Sequence, residues 1–287
     1  MNKQLHYGAN SEQGQYWNEI SGPKWVEEDS AMNERMQSIT AWLFQKAGLS
    51  ENQKVLDVGC GGGATTEIIA KTVGSHGSVH GIDISKPLLS LASKRCQKFH
   101  NVAFDLGDAQ TLDLSRNFYD HIISRFGVMF FENPQQAFCN LRKSLKANGK
   151  LTFVCWSTLE ENEFFSLPVR TVISTLGLPA PSVGSEPGPM SLCDTYHTQK
   201  MLINSGFNNV HITTIKTDMS SSDNLLKHAK LYLKIGPAAR IMADNDVSKS
   251  QNTDIVSLIV EKLKKRQKKN GKISLGATVH YVEAKNH

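Results

Sequence analysis

The residue types able to do chemistry gather where aspartates meet a run of glycines. Asp57 lies in the apolar run Val55 to Val58, and Gly59-Cys60-Gly61-Gly62-Gly63 follows at once. The run reads as a buried strand, the glycines as a turn, and Glu67 to Val73, with Ile68 and Ile69 inward, as the helix that follows. A glycine corner of this kind lets the backbone approach a ligand closely. Gly59-x-Gly61-x-x-Ala64 satisfies a loose dinucleotide fingerprint, which alone is a weak signal. Asp83 ends the next strand, Ser78 to Asp83, where an acid can accept both hydroxyls of a ribose. Asp108 stands in the loop beyond a third strand, Val102 to Leu106.

Asp57 separates two classes of nucleotide ligand. A carboxylate inside a strand is costly unless paired. A pyrophosphate would add negative charge beside it, whereas an ammonium group would offset it. S-adenosylmethionine (SAM) carries an amino-acid end, a sulfonium and an adenosine but no phosphate, so this corner favours SAM over NAD. Asp83 suits either.

Val55-Leu-Asp-Val-Gly-Cys-Gly-Gly-Gly resembles the first motif of class I SAM-dependent methyltransferases. Gly81-Ile-Asp83-Ile-Ser resembles their second and Asp108-Ala-Gln-Thr111 their third, in the family's order and spacing. The similarity runs from about Tyr16 to Lys285. It is closest to a bacterial group of small-molecule methyltransferases with Ser-Arg-Phe-Gly-Val-Met-Phe-Phe, here Ser124 to Phe131. The resemblance implies an α/β fold, a Rossmann-like doubly wound seven-stranded sheet whose last strand is antiparallel, with N-terminal and inserted cap helices. It implies SAM as cofactor, held at Asp57, Gly59, Cys60, Gly61 and Gly63, with Asp83 on the ribose. Asp108, Ala109 and Gln110 would meet the adenine, Asp108 otherwise forming only an Asx-turn, and Ile84 and Leu88 would sandwich the ring. Ser124 and Arg125, at the fourth strand's carboxyl end, would border the methyl group. Arg125 suits a substrate carboxylate, an acidic loop, or an acid on a neighbouring helix. Phe126, Met129 and Phe130 suit either an apolar substrate pocket or the core.

The elements that must position these residues follow in order. Met1 to Gln15 is polar and expected to fray. Trp17 and Trp25 precede a helix over Ser30 to Ala47; they either pack that helix on the sheet or close a lid over the substrate. Pro87 opens a helix to Gln97, Phe118 to Arg125 is the fourth strand, and Asn133-Pro134 starts a helix that Asn148-Gly149 closes. Lys150 to Trp156 is a fifth, central strand. Prolines and glycines from Ser157 to Cys193 mark a loop-rich insertion, with a helix over Phe164 to Leu176. Thr198 to Ser205 is the last crossover helix and Val210 to Thr217 the sixth strand. Asp223 to Ile235 and Thr253 to Lys269 are cap helices, and Ala277 to Ala284 is the final strand. The domain plan is therefore a lid (1–50), a core (51–218, insertion 157–193), caps (219–275) and a closing strand (276–287).

Composition bounds the rest. The chain has 287 residues with 39% hydrophobic content, ample for one large domain. Neither a membrane span nor a signal peptide is expected. Five cysteines without metal-like spacing point to a reducing cytoplasm and to no metal. Cys60 reads as a small turn residue, Cys139 and Cys155 as core. The net charge of +5 is local: Glu261 to Lys272 carries +6, so the rest sums to −1. Nothing basic is expected around the glycine corner, and nucleic acid is a poor fit. The basic run Lys262 to Lys272 reads as a helix end complementing its dipole, or as a surface for an acidic partner. Displacement at a sulfonium methyl needs alignment and dryness more than a metal or an acid. A hydroxyl or ammonium nucleophile would also need a base, and His6, His197 and His211 are candidates by residue type alone. The reading is methyl transfer to an O, N or C nucleophile of a small, apolar molecule. Its rivals are a SAM-binding protein without turnover and an NAD-dependent oxidoreductase. Oligomeric state stays open.

Overall fold

The computed structural model describes residues 10–180 and 186–286. Its sheet contains β1 (Lys54–Val58), β2 (Ser78–Asp83), β3 (Val102–Leu106), β4 (Tyr119–Arg125), β5 (Leu145–Trp156), β6 (Asn208–Ser221) and β7 (Ile273–Lys285). The order is β3-β2-β1-β4-β5-β7-β6. The first five strands pair in parallel, and β7 lies antiparallel between β5 and β6. Strand order reverses between β1 and β4, which opens a crevice at their carboxyl ends where open α/β sheets place ligands.

Before the sheet come α1 (Ser11–Gln15), a π-helical turn (Tyr16–Ile20), α2 (Ser21–Arg35) and α3 (Gln37–Ala47). The crossovers are α4 (Ala64–Val73), α5 (Lys86–Cys96), α6 (Pro134–Ser144), α7 (Glu163–Leu176) and α8 (Thr195–Asn204). Between β6 and β7 stand α9 (Leu225–Tyr232), α10 (Pro237–Ala243) and α11 (Lys249–Lys264). Start signals are met by side chains. Asn133 accepts from the Gln136 amide ahead of Pro134, and Ser248 forms a reciprocal capping box with Gln251.

Several boundaries differ from the sequence expectation. Asn10 to Gln15 is a buried cap and a helix, not a frayed tail, because Asn10 donates to the Phe130 carbonyl (3.2 Å); residues 1–9 lie outside the described residues. The helix expected over Ser30 to Ala47 begins earlier and breaks at Met36, where the backbone leaves the helical region (ψ 6°). The break turns the fully buried Arg35 toward Asp223 (2.9 Å). Helix α6 stops at Ser144, and Asn148, at φ 63°, belongs instead to the start of β5. Helix α11 ends at Lys264, so the later half of the basic run lies in a turn closed by a bridge between Gln267 and Ile273. Helix α10 went unrecognised, being short and without an apolar stripe. Strands β6 and β7 are longer than expected because they pair with each other from Asn208 to Ser221. The expected loop-rich insertion contains α7, which runs through Pro168; 181–185 lie outside the described residues.

Candidate functional site

A cavity of about 310 Å³ opens at the β1/β4 crevice. Its floor is the glycine turn after β1 and the loops after β2, β3 and β4; α1, α2, α7 and α10 complete its walls.

The floor depends on two glycines in contact. Gly59 holds φ +65°, and a Cβ there would stand 2.6 Å from the Gly127 Cα. The loops leaving β1 and β4 therefore meet backbone to backbone. Gly61, at φ +55°, has nothing within 4 Å of its Cβ position and lines the cavity, so the space beside it is open to a ligand.

Three carboxylates lie beneath or within this floor. Asp57 is fully buried, and its Oδ2 accepts from Thr66 (2.6 Å) and Thr65 (2.8 Å). Burial raises its pKa, against the two threonine hydroxyls and the charge of Arg125. Its Oδ1 has no hydrogen-bond partner among the described residues, and Asp57 does not itself line the cavity. Asp83 does line it; Oδ2 accepts from the Gly61 amide and Oδ1 from the Ser85 amide, both at 2.8 Å. Burial pushes its pKa up to about 6 in spite of those bonds. Asp108 lines the far end, and its Oδ1 accepts from the Gln110 amide (2.9 Å). That is the Asx-type turn, and it leaves Oδ2 buried without a hydrogen-bond partner among the described residues. Burial raises this pKa too, with the Gln110 amide and the Asn10 side chain opposing it.

An orphaned acceptor on Asp108, the Asp83 carboxylate and an open glycine cradle line a cavity whose chemistry fits SAM, with the buried charge of Asp57 beneath the glycine turn. Ammonium, ribose hydroxyls and adenine amine are all donors, whereas a pyrophosphate is an acceptor only.

Among the other expected cofactor residues, Cys60, Ile84, Leu88, Ala109 and Arg125 line the cavity. Gly63, Gln110 and Ser124 do not. Gly63 caps α4 against Ala92, and the Gln110 side chain accepts from the Asn133 amide (2.8 Å). Ser124 is wholly buried, donating to the Val58 carbonyl (2.7 Å) and accepting from the Gly127 amide (3.2 Å), so it braces the floor instead of facing a methyl group. The Cys60 thiol is held well above its usual range by burial and by Asp83 and Asp57, a packed group and not a nucleophile. Cys155 is fully buried, while Cys139 is only half-buried.

Arg125 binds no helix acid directly. Its guanidinium donates to Thr40 Oγ1 and Asn33 Oδ1, each at 2.7 Å. Burial draws its pKa down to about 10, partly countered by Asp57 and Asp29. It thus ties the fourth strand to α2 and α3 while presenting one side to the cavity. A second arginine also reaches the corner, contrary to the expected lack of basic groups there. Arg95 of α5 donates to the Gly62 carbonyl and pairs with Asp29 of α2. Nothing in the motif spacing signals this pair, since its partners lie 66 residues apart.

Trp17, Trp25, Phe126 and Phe130 all line the cavity. Trp17 meets Phe130 edge to face at 5.1 Å and Trp25 at 6.1 Å. The Trp17 carbonyl accepts from Ser85 Oγ (2.8 Å); Asn18 donates to the Ile84 carbonyl (2.8 Å) and accepts from the Lys86 amide (2.9 Å). The π-helical turn carrying both residues thus docks one residue beyond Asp83, as such turns often do at functional sites. Phe126 holds φ 65°, uncommon for an aromatic residue, and stacks on Trp156 at 4.1 Å and 5°. His197 and His211 are exposed and outside the cavity; His6 lies outside the described residues. Among the described residues no cluster suits a metal ion, and no helix is long and apolar enough to cross a membrane.

Known proteins agree with this geometry. A family model described as a methyltransferase domain matches residues 49–168. Demethylmenaquinone methyltransferase of Tropheryma whipplei (strain Twist) is 33% identical over 175 residues, covering 56% of this chain and 69% of that one. Phosphoethanolamine N-methyltransferase of Plasmodium falciparum (isolate 3D7) is 31% identical over 127 residues, 44% of this chain and 47% of that one. Among solved structures, the YcgJ protein of Bacillus subtilis shares the fold with a TM-score of 0.56 at 17% identity, over 86% of this chain and 97% of that one. Haemonchus contortus phosphoethanolamine N-methyltransferase 2, solved with phosphomonomethylethanolamine and S-adenosylhomocysteine, gives 0.51 at 16% identity over 87% and 52%. The strand order, the three aspartates, the glycine cradle and the sequence relatives converge: this chain belongs to the class I SAM-dependent methyltransferases.

Proposed function

We propose that this enzyme methylates a small molecule with a flat, largely apolar body. The observation that carries the reading is the change of character along one cavity. Acids and glycines line one limb, while the other is walled by Phe126, Trp156, Phe165 and Phe164 in successive ring contacts of 4.1, 5.0 and 5.1 Å. The curated relatives named above act, by their names, on demethylmenaquinone and phosphoethanolamine, both small molecules.

In this reading Asp57 supplies negative charge to the ammonium group from beneath the glycine turn without touching it, Gly59 to Gly62 cradle the methionine end, Asp83 takes the ribose hydroxyls and Asp108 takes the adenine amine. Ala109, Ile84 and Leu88 bound the ring. When bound, SAM would supply an electrophilic methyl carbon: the acceptor's lone pair would bond to it as the carbon–sulfur bond breaks, leaving sulfur neutral, and the acceptor's own proton, where it carries one, would pass to solvent water. The chain's part is alignment and dryness: Trp17 and Trp25 cover the crevice, and the Phe126–Trp156 stack sets the acceptor plane. Arg125 holds α2 and α3 over the reaction point. Residues 1–50 act as a lid and 219–275 as a cap. Five free cysteines, three of them buried, support a reducing cytoplasmic setting.

Calorimetric titration with SAM, S-adenosylhomocysteine and NAD tests the cofactor limb, and methyl release across a panel of aromatic hydroxyl, amine and enol acceptors tests the other. Micromolar binding of the first two (about −8 kcal/mol), lost in Asp83→Ala, together with turnover of an acceptor, is expected. Cofactor binding without turnover of any acceptor would leave a SAM-binding protein and defeat the proposal.

A further inference from the structure

The aromatic wall has a charged end. Gly236, at the start of α10, packs 3.7 Å from the Phe165 ring if given a Cβ, and one turn on Arg240 completes the same cavity. The chain of rings therefore runs from Phe126, beside Arg125 at the strand end, outward to an arginine. The cavity's charged lining divides accordingly. Asp29, Asp83, Asp108 and Arg125 belong to the cofactor limb and its braces, all with hydrogen bonds to neighbouring groups. Arg240 is different. Its ion pair among the described residues is with Asp244 at 3.9 Å, with both side chains about two-thirds exposed (65% and 67%). A solvated pair of that length and geometry holds the guanidinium weakly.

We infer that Arg240 recognises an acidic group on the methyl acceptor, so that the substrate class is a flat aromatic or conjugated acid. The nucleophilic atom sits at the Phe126 end and the carboxylate, sulfonate or phosphate at the α10 end. A planar guanidinium fork binds such groups with two parallel hydrogen bonds, so an acidic group on the acceptor displaces the distant Asp244 carboxylate from it. Position adds selectivity. Methylation at the strand end and anchoring at the cap fix which end of the molecule reacts. The inference rests on the small-molecule reading above.

The test uses the full chain loaded with S-adenosylhomocysteine and two matched probes, 6-hydroxy-2-naphthoate and 6-hydroxy-2-naphthamide, titrated by calorimetry. The acid is expected to bind about tenfold more tightly than the amide. Arg240→Gln is expected to bring the two to parity, Arg240→Lys to keep part of the preference, and Asp244→Asn to widen it. S-adenosylhomocysteine affinity stays unchanged in all three variants. Equal binding of acid and amide in the wild type, or a preference that survives Arg240→Gln, overturns the inference while leaving the small-molecule reading intact. Failure of both probes to bind a protein that does bind S-adenosylhomocysteine also overturns the inference, and the acceptor panel then decides the small-molecule reading separately.

Discussion

Asp83 is held by two backbone amides in a setting that raises its pKa to about 6, so its proton has opposite effects on folding and on binding. The folded value lies above the ordinary carboxylate value. Folded protein therefore holds the proton more tightly, and this group weakens stability as pH rises toward about 6. Ribose hydroxyls need the ionised acceptor, so SAM affinity should fall about tenfold per unit as pH drops below about 6. Calorimetry from pH 5 to 8, with unfolding followed in parallel, should show the two opposed trends as differences between wild type and Asp83→Asn, since the loss of stability that His228 causes in acid is common to both proteins. Loss of two charge-assisted bonds in Asp83→Ala should weaken SAM by at least about a hundredfold. The two cradle glycines should behave unlike each other. Gly61→Ala meets only open space and a left-handed backbone, so it should lose roughly 1 kcal/mol of stability yet block the cofactor. Gly59→Ala also strikes Gly127 at 2.6 Å and should fail as a fold, which urea unfolding of the two variants would separate. These proposed roles can be read from the sequence because a motif fixes both residue type and position. Ser124 misled because its place at a strand end fits a ligand contact equally well, and only its bond to the Val58 carbonyl shows that it points into the floor.

At the scale of elements, the segment from α1 through the π-helical turn is what closes the crevice, and Asn18 is its clasp. One side chain donates to Gly14 and Ile84 and accepts from Lys86. Asn18→Ala should leave the sheet folded but loosen the segment by on the order of 1–3 kcal/mol. Faster amide exchange over residues 10–20 and roughly tenfold faster release of S-adenosylhomocysteine in stopped-flow would report it; unchanged release would mean the segment is not a gate. The sequence shows Tyr16-Trp17-Asn18 as a cluster but no role for Asn18, because the partners that make it a clasp, Ile84 and Lys86, are backbone groups 66 and 68 residues away. The same limit explains the other differences. The stretches Val55–Val58 of β1 and Leu151–Trp156 of β5 are apolar but for Asp57 and Thr152, and they can be read locally. The break at Met36 cannot, since Met32, Met36, Ile39 and Leu43 keep helical spacing straight through it and all are buried. What bends the chain there is a tertiary demand, the burial of Arg35. Helix α10 carries Ala238 as its one buried residue, so no stripe announces it, and Arg240 passed unnoticed with it.

Across the whole molecule, the N-terminal helices and the helices between β6 and β7 are joined by a polar seam, buried at Arg35 and open to solvent at Lys227 and Glu27, instead of by apolar packing alone. Arg35 of α2 pairs at 2.9 Å with Asp223, just before α9, and its Nε has no partner among the described residues. Lys227 holds the same carboxylate at 2.7 Å, while Lys234 joins Glu27 and Glu28 further along α2. Inside the seam, the His228 Nε2 lies 2.9 Å from the Tyr232 hydroxyl, and burial drives the histidine's pKa down to about 3. For a base with a depressed folded value, the unfolded chain takes up the proton first. Stability is then lost as pH falls below the ordinary histidine value, by about 2 kcal/mol between pH 6.5 and 5. Asp223 adds to this only at lower pH. Burial opposes its ionisation, but the Lys227 and Arg35 bonds outweigh it and hold the carboxyl below its usual range, so its support survives until stronger acid. The two contributions are separable. His228→Gln should flatten the loss of stability between pH 6.5 and 5 without abolishing SAM binding. Asp223→Ala strands a buried guanidinium and should cost about 3–5 kcal/mol at neutral pH, lowering Tm by roughly 10 °C. Saturating S-adenosylhomocysteine should recover a few degrees of that loss, because it binds the folded state alone. If instead the variant melts like the wild type, the seam is decoration, and the lid is held by Arg125, Arg95 and Asn18 from the core side alone.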